Sequence, residues 1–192
     1  MRKVYAVVLV LVVLSFTFYF GNFFMARPET HTSARTGSMK SVNATFNDGF
    51  CVYPDSPLGK MVAEELRGRG YKVLLLSAPV ECDGQFLAVW VKWFNVSYSP
   101  VLARGHVRVI AVYSSAGDPT HYLRYRNATD GTAALMDFED TQIPQFQAYV
   151  LVDVSDESRG IIGLRGYQDY LMREAAKAVV GNIKHVTDGE AG

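Results

Sequence analysis

The first 26 residues constrain this chain most. Arg2 and Lys3 precede an uncharged, largely apolar run from Val4 to Phe20, and Phe23, Phe24 and Met25 extend it. Seventeen residues at about 1.5 Å each span roughly 25 Å as a helix, and the extension approaches the ~30 Å hydrocarbon thickness of a bilayer. The expectation is one membrane helix over residues 4–25. With basic residues alone before the run, the N-terminus is expected on the cytoplasmic side and residues 27–192 outside the cytoplasm. A cleaved signal peptide with secretion is the alternative; Ala26 suits the position before a cut, but Phe24 is bulky where a small residue is wanted. A buried helix of a soluble domain is the third reading of the same run.

The neutral total charge hides an asymmetry. From Thr45 onward there are 14 Lys+Arg against 18 Asp+Glu, a net of −4, while Arg2, Lys3, Arg27, Arg35 and Lys40 all lie earlier. A mildly acidic domain with scattered charges carries no electrostatic footprint for nucleic acid. Residues 27–44 hold few large apolar side chains and many Ser, Thr, Arg and small residues, a composition that predicts a flexible linker. The domain boundaries that follow are an anchor over 1–26, a linker over 27–44, a folded domain over 45–187 and a disordered tail over 188–192. The folded part is long enough for one real core.

Two cysteines, Cys51 and Cys82, fall in the exported part. An oxidising compartment favours a bridge between them, closing a loop of about 30 residues; two buried free thiols are the plainer alternative. Two cysteines without a histidine at ligand spacing leave a metal unfilled, so no metal or other cofactor is expected. Three Asn-x-Ser/Thr sequons begin at Asn43, Asn95 and Asn127, where 6 Asn and 22 Ser+Thr in 192 residues predict roughly 0.7 by chance. They are candidate glycosylation sites and agree with export.

Within the folded part, Gly49–Tyr53 reads as a strand, Ser56-Pro57 as the start of an amphipathic helix ending near Gly68 or Gly70, and Val73–Leu76 as a strand covered on both faces. Together they predict a βαβ unit with parallel strands. Gln85–Ser97 follows as a long strand, with Phe86, Ala88, Trp90, Phe94 and Val96 expected on one face and Leu87, Val89, Val91 and Trp93 on the other. His106–Ser114 is another strand, expected to form a hairpin with a strand over His121–Arg126. Residues 128–144 read as a partly acidic loop, Gln147–Val154 as a last strand, and Leu164–His185 as a closing amphipathic helix. The fold class is therefore α+β: a mixed, largely antiparallel sheet with two helices packed on one face, preceded by a transmembrane helix. At the level of architecture alone this is similar to small cell-envelope assembly lipoproteins, although no cysteine for a lipid stands near the end of the apolar run.

Catalytic signals are sparse. His31, His106, His121 and His185 are not at ligand spacing, although His106 and His121 meet across the expected hairpin. The acidic groups Asp137, Glu139, Asp140 and Asp153, Asp156, Glu157 match no calcium-loop pattern. There is no Gly-x-Ser-x-Gly elbow, and Gly160–Gly163 lacks the spacing and lysine of a phosphate cradle. Tyr122, Arg124, Tyr125 and Arg126 form an aromatic-basic segment that suits a ligand or a polyanionic surface. The function expected is a single-pass, membrane-tethered extracytoplasmic binding or assembly module with a protein or other envelope partner and no catalysis. The alternative is a secreted or tethered hydrolase whose site forms only in the fold.

Overall fold

The computed structural model describes residues 2–41, 43–138 and 144–190. In chain order these form α1 (Arg2–Phe20), β1 (Phe24–Lys40), β2 (Phe50–Tyr53), α2 (Pro57–Gly68), β3 (Val73–Leu75), β4 (Gln85–Tyr98), β5 (Leu102–Ser114), α3 (Thr120–Asn127), α4 (Gly131–Met136), β6 (Phe146–Ile162) and α5 (Leu164–Glu190). The strands make one sheet in the order β1-β6-β5-β4-β2-β3. β2 runs parallel to both β3 and β4, and the remaining neighbours are antiparallel. The mixed, largely antiparallel α+β class and the βαβ unit of β2, α2 and β3 are as the sequence predicts.

α2 and α5 cover one face. α2 starts at Pro57, whose missing N–H costs nothing in a first turn, and buries Leu58, Val62, Ala63 and Leu66. α5 lays Leu171, Ala175, Val179 and Ile183 on Val107, Val109, Val150 and Val152 of the two central strands. Gly105 lets α5 come this close: a Cβ there would stand 2.5 Å from Leu171 Cδ2 and 2.7 Å from Tyr167 Oη. The other face is covered only in part. α3 sets Tyr122 and Tyr125 over Trp90, with ring centroids 5.5 and 4.8 Å apart, and this second core includes Phe86, Ala88, Ile110, Val112 and Tyr149.

The structure departs from the sequence expectation in definite places. Most of the 27–44 linker is strand: β1 pairs with β6 over all 17 of its residues, from Phe24 against Ile162 to Lys40 against Phe146. An edge strand is held by its backbone ladder and needs few apolar side chains, so a polar segment with Thr30, Thr32 and Thr36 passes for a tether. For the same reason the expected helix over 4–25 ends at Phe20, and only Gly21, Asn22 and Phe23 separate it from β1. Residues 121–126 are helix α3, entered through Pro119 after a local turn in which Asp118 Oδ1 accepts from the Thr120 N–H at 2.9 Å and from its hydroxyl. β3 is a three-residue edge strand with Leu74 59% and Leu75 39% exposed, where a covered strand was expected. α4 occupies part of the expected 128–144 loop, and residues 139–143 lie outside the described residues. α5 continues to Glu190, past the expected tail boundary at 188; residues 191 and 192 lie outside the described ones.

A further difference comes from one residue. The β4–β5 register slips between Val91 and Trp93, leaving Lys92 as the extra residue of a bulge. Phe94 and Val96 are thereby moved to the α5 side, opposite Val107 and Gly105, while Trp93 joins the side of Trp90. A one-residue slip inverts every later side chain, so the expected strict alternation fails from residue 93 onward. Among the described residues, no helix is long and apolar enough to cross a membrane.

Cys51 in β2 and Cys82, in the connection from β3 to β4, are joined by a disulfide with Cα atoms 6.6 Å apart, inside the usual 4.4–6.8 Å window. Closing this loop is expected to contribute about 3–4 kcal/mol. Chemical denaturation of the oxidised protein and of a Cys51→Ser/Cys82→Ser variant should differ by that amount. Equal midpoints would remove the bridge from the account of stability.

Candidate functional site

The uncovered half of the sheet is the most chemically varied surface of the domain. It is built from alternate residues of four strands, and the register places them in rows. Across β1, β6 and β5 these rows are Arg27–Arg159–Leu102, Glu29–Glu157–Arg104, His31–Ser155–His106 and Ser33–Asp153–Arg108. β4 completes the last three with Ser97, Asn95 and Trp93. The alternation that buries Val107, Val109, Val152 and Val154 under α5 necessarily turns their polar neighbours to this open side.

Asp153 is the centre of the best-defined cluster. Its Oδ1 accepts from Arg108 Nε at 2.8 Å and lies 3.0 Å from His106 Nε2. Trp93, 47% exposed, meets the His106 ring edge-on with centroids 4.6 Å apart. Partial burial alone would raise the Asp153 carboxyl, but the hydrogen bonds and charges of Arg108 and His106 outweigh it and hold it below the usual carboxylate range. Two rows away, Glu157 accepts from Arg104 Nε at 2.8 Å and Arg159 Nη2 at 2.7 Å, and these two arginines depress it likewise. Ion pairs this exposed add little to stability, because solvent screens them. Their effect is to fix side-chain directions on an open surface.

Of the sequence candidates, His106 and Asp153 are brought together and His106 and His121 are not. His121 is a buried residue of α3, with Nε2 3.0 Å from the Leu135 carbonyl and Phe138 packed edge-on at 4.8 Å. Asp137 pairs with Arg124 of α3 at 2.9 Å. Glu139 and Asp140 lie outside the described residues. Asp156 faces the α5 side and is buried, accepting from Thr30 Oγ1 at 2.7 Å and Ser158 Oγ at 2.6 Å. Tyr122 and Tyr125 are core residues, which withdraws the aromatic part of the expected basic strand. The sequon residues Asn43, Asn95 and Asn127 are all exposed, and Asn95 stands directly opposite His106.

A histidine hydrogen-bonded to a carboxylate is half of a nucleophilic triad. Ser155 lies opposite His106 in the register, yet among the described residues its hydroxyl makes no side-chain hydrogen bond. The cluster occupies an open sheet face, with a shallow groove beside it lined by Glu29, His31, Arg104, Ser155 and Glu157. Among the described residues, no three His, Cys, Asp or Glu side chains group where they could hold a metal. What this arrangement offers is directed charge and an aromatic edge. Sequence reasoning missed Trp93, Arg104 and Arg108 because their placement depends on the bulge and on pairing with β6. The polar ending of one strand face at Asn95 and Ser97 was the available signal.

The pH response separates the buried histidine from the open cluster. Burial pushes the His121 ring below its ordinary pKa of about 6.5, against the opposing hydrogen bond to Leu135. Its contribution is fully present above pH 6.5 and is lost as pH falls below it, because the unfolded chain takes up the proton first. Unfolding free energy measured from pH 8 to 5 should therefore fall more steeply below pH 6.5 in the wild type than in His121→Gln. Parallel curves would show that His121 is not the group responsible.

No family model and no curated protein matches this chain.

Proposed function

We propose that the protein is a membrane-tethered extracytoplasmic module that binds another envelope component through the open face of its sheet. The observation that carries the tether is α1. Its side chains from Val4 to Phe20 are almost all exposed, with Val4 66%, Leu9 65% and Phe16 63% accessible, and only its last turns touch the domain. Each such side chain gains about 1.5–3 kcal/mol on leaving water, and the domain offers no surface to receive them. A lipid bilayer does. No described helix has the length and apolarity of a crossing, so the proposed tether rests on this exposure and on the 17-residue run in the sequence, at the short end of the 17–25 residues that spanning helices use; Arg2 and Lys3 favour a cytoplasmic N-terminus. The disulfide and the exposed sequons agree with an exported domain.

Binding in preference to catalysis is supported by the open face itself. Paired charges, the Trp93 edge and the outer edges of β1 and β3 are features of a contact surface. The His106–Asp153 pair favours the second reading, a tethered hydrolase with Ser155 as nucleophile, and sets the terms of the test. Full-length protein expressed in an exporting host should resist carbonate extraction, and its domain should be cut by protease added from outside. His106→Ala and Ser155→Ala should leave the cellular phenotype unchanged, whereas removing residues 2–20 should abolish it. Recovery in the soluble fraction would refute the tether, and loss of phenotype in both single variants would transfer the assignment to the hydrolase.

A further inference from the structure

The end of the sheet from which α1 leaves carries a second apolar surface. Met25 is 65% exposed, Val101 66% and Ile161 52%, and they come from three separate elements: β1, the β4–β5 turn and β6. The register sets Met25 directly opposite Ile161, and Val101 O accepts from Gly160 N at 3.1 Å, so the three form one rim. Arg27 and Arg159 stand opposite each other in the next row, both exposed. Arg159 already donates to Glu157 Oε1 through Nε at 3.0 Å and Nη2 at 2.7 Å, so its charge is met within the sheet. Arg165, at the start of α5, places its guanidinium 5.5 Å from the centre of the Phe20 ring.

This rim is fixed with respect to α1. Tyr98 Oη lies 3.0 Å from the Phe18 carbonyl and 2.8 Å from that of Ile162, and Gly163 N donates to Phe23 O at 2.9 Å. Gly166 packs so closely on Phe23 that no Cβ would fit. With three residues between α1 and β1, the domain has no reach away from whatever α1 enters.

We propose that this end of the domain rests on a phospholipid surface, with Met25, Val101 and Ile161 entering the interface and Arg27 and Arg165 meeting lipid phosphates. The inference rests on the reading of α1 as a membrane anchor. Apolar side chains ringed by arginines are the composition of an interfacial contact, since arginine keeps its stem in the apolar layer and its head at the phosphates. The consequence is orientation. The sheet stands on the membrane and holds the His106–Asp153–Trp93 face at a set height and direction.

The test uses the full chain, whose native cysteines are bridged, so an introduced cysteine is the free thiol. Val101→Cys and Ile161→Cys would each carry an environment-sensitive fluorophore in vesicles of phosphatidylcholine and phosphatidylglycerol. Val8→Cys in α1 reports insertion. Leu74→Cys, on β3 about 40 Å away along the sheet, reports water. Quenching of the labels at 101 and 161 by headgroup-level spin-labelled lipid, with none at 74, supports the proposal. Labels at 101 and 161 that stay unquenched while position 8 is quenched by deep spin labels overturn it and leave the anchor standing. A blue shift at 101 and 161 without lipid quenching assigns the rim to a second copy of the chain, and also overturns it. No quenching at position 8 defeats the anchor reading and the inference with it.

Discussion

The pairing of β1 with β6 governs how this protein presents itself. Without it, the domain would hang from α1 on about twenty unstructured residues and sample every orientation. With it, 17 residues are bound in register, and the helix that precedes them is held at one end of the sheet. The pairing is itself clamped from the α5 side. Thr30 of β1 hydrogen-bonds both the buried Asp156 of β6, at 2.7 Å, and Tyr170 of α5, at 2.6 Å. Tyr167 Oη adds a bond to the Asp156 carbonyl at 3.2 Å. β1, β6 and α5 are thus linked around Asp156, whose buried carboxylate is tolerable because Thr30 and Ser158 satisfy its two oxygens.

Position follows from that clamp. β1 extends the sheet on one side and thereby creates most of the open face: His31, Glu29 and Arg27 become neighbours of residues on β6. On the far side of β5, the bulge at Lys92 turns Trp93 toward the same face and places it against His106. Neither element contributes much to the core, which belongs to α2, α5 and the inner strands. The division is physical: apolar burial stabilises one face of the sheet, and the other is left free to carry charge. It is on this division that the proposed binding role rests.

The legible parts of the sequence were those with a strong local period or a hydrophobic stripe. Pro57–Gly68 and the helix from Leu164 announce themselves by apolar residues three and four apart, and the strands through Val52, Val89 and Val109 by dense apolar runs. Cys51 and Cys82 could be paired because the βαβ unit brings β2 and β3 side by side. Illegible were features decided by tertiary partners. β1 has a linker's composition because its stability lies in backbone hydrogen bonds to a strand more than 100 residues away. His121–Arg126 alternates like a strand over six residues, yet the Asp118–Thr120 turn before it and the i, i+3 spacing of the buried Tyr122 and Tyr125 go with a helix. The His106–Asp153 contact depends on cross-strand register that neither sequence segment encodes alone.

The central claim, that residues 24–40 are part of the sheet and not a tether, is tested most directly by amide hydrogen exchange of the full chain. An antiparallel edge strand donates inward only at alternate residues. The account predicts slowed exchange at every second amide from Phe24 to Lys40, with protection fading together with that of β6 as the sheet unfolds. Uniformly fast exchange across those residues, with β6 still protected, would contradict it.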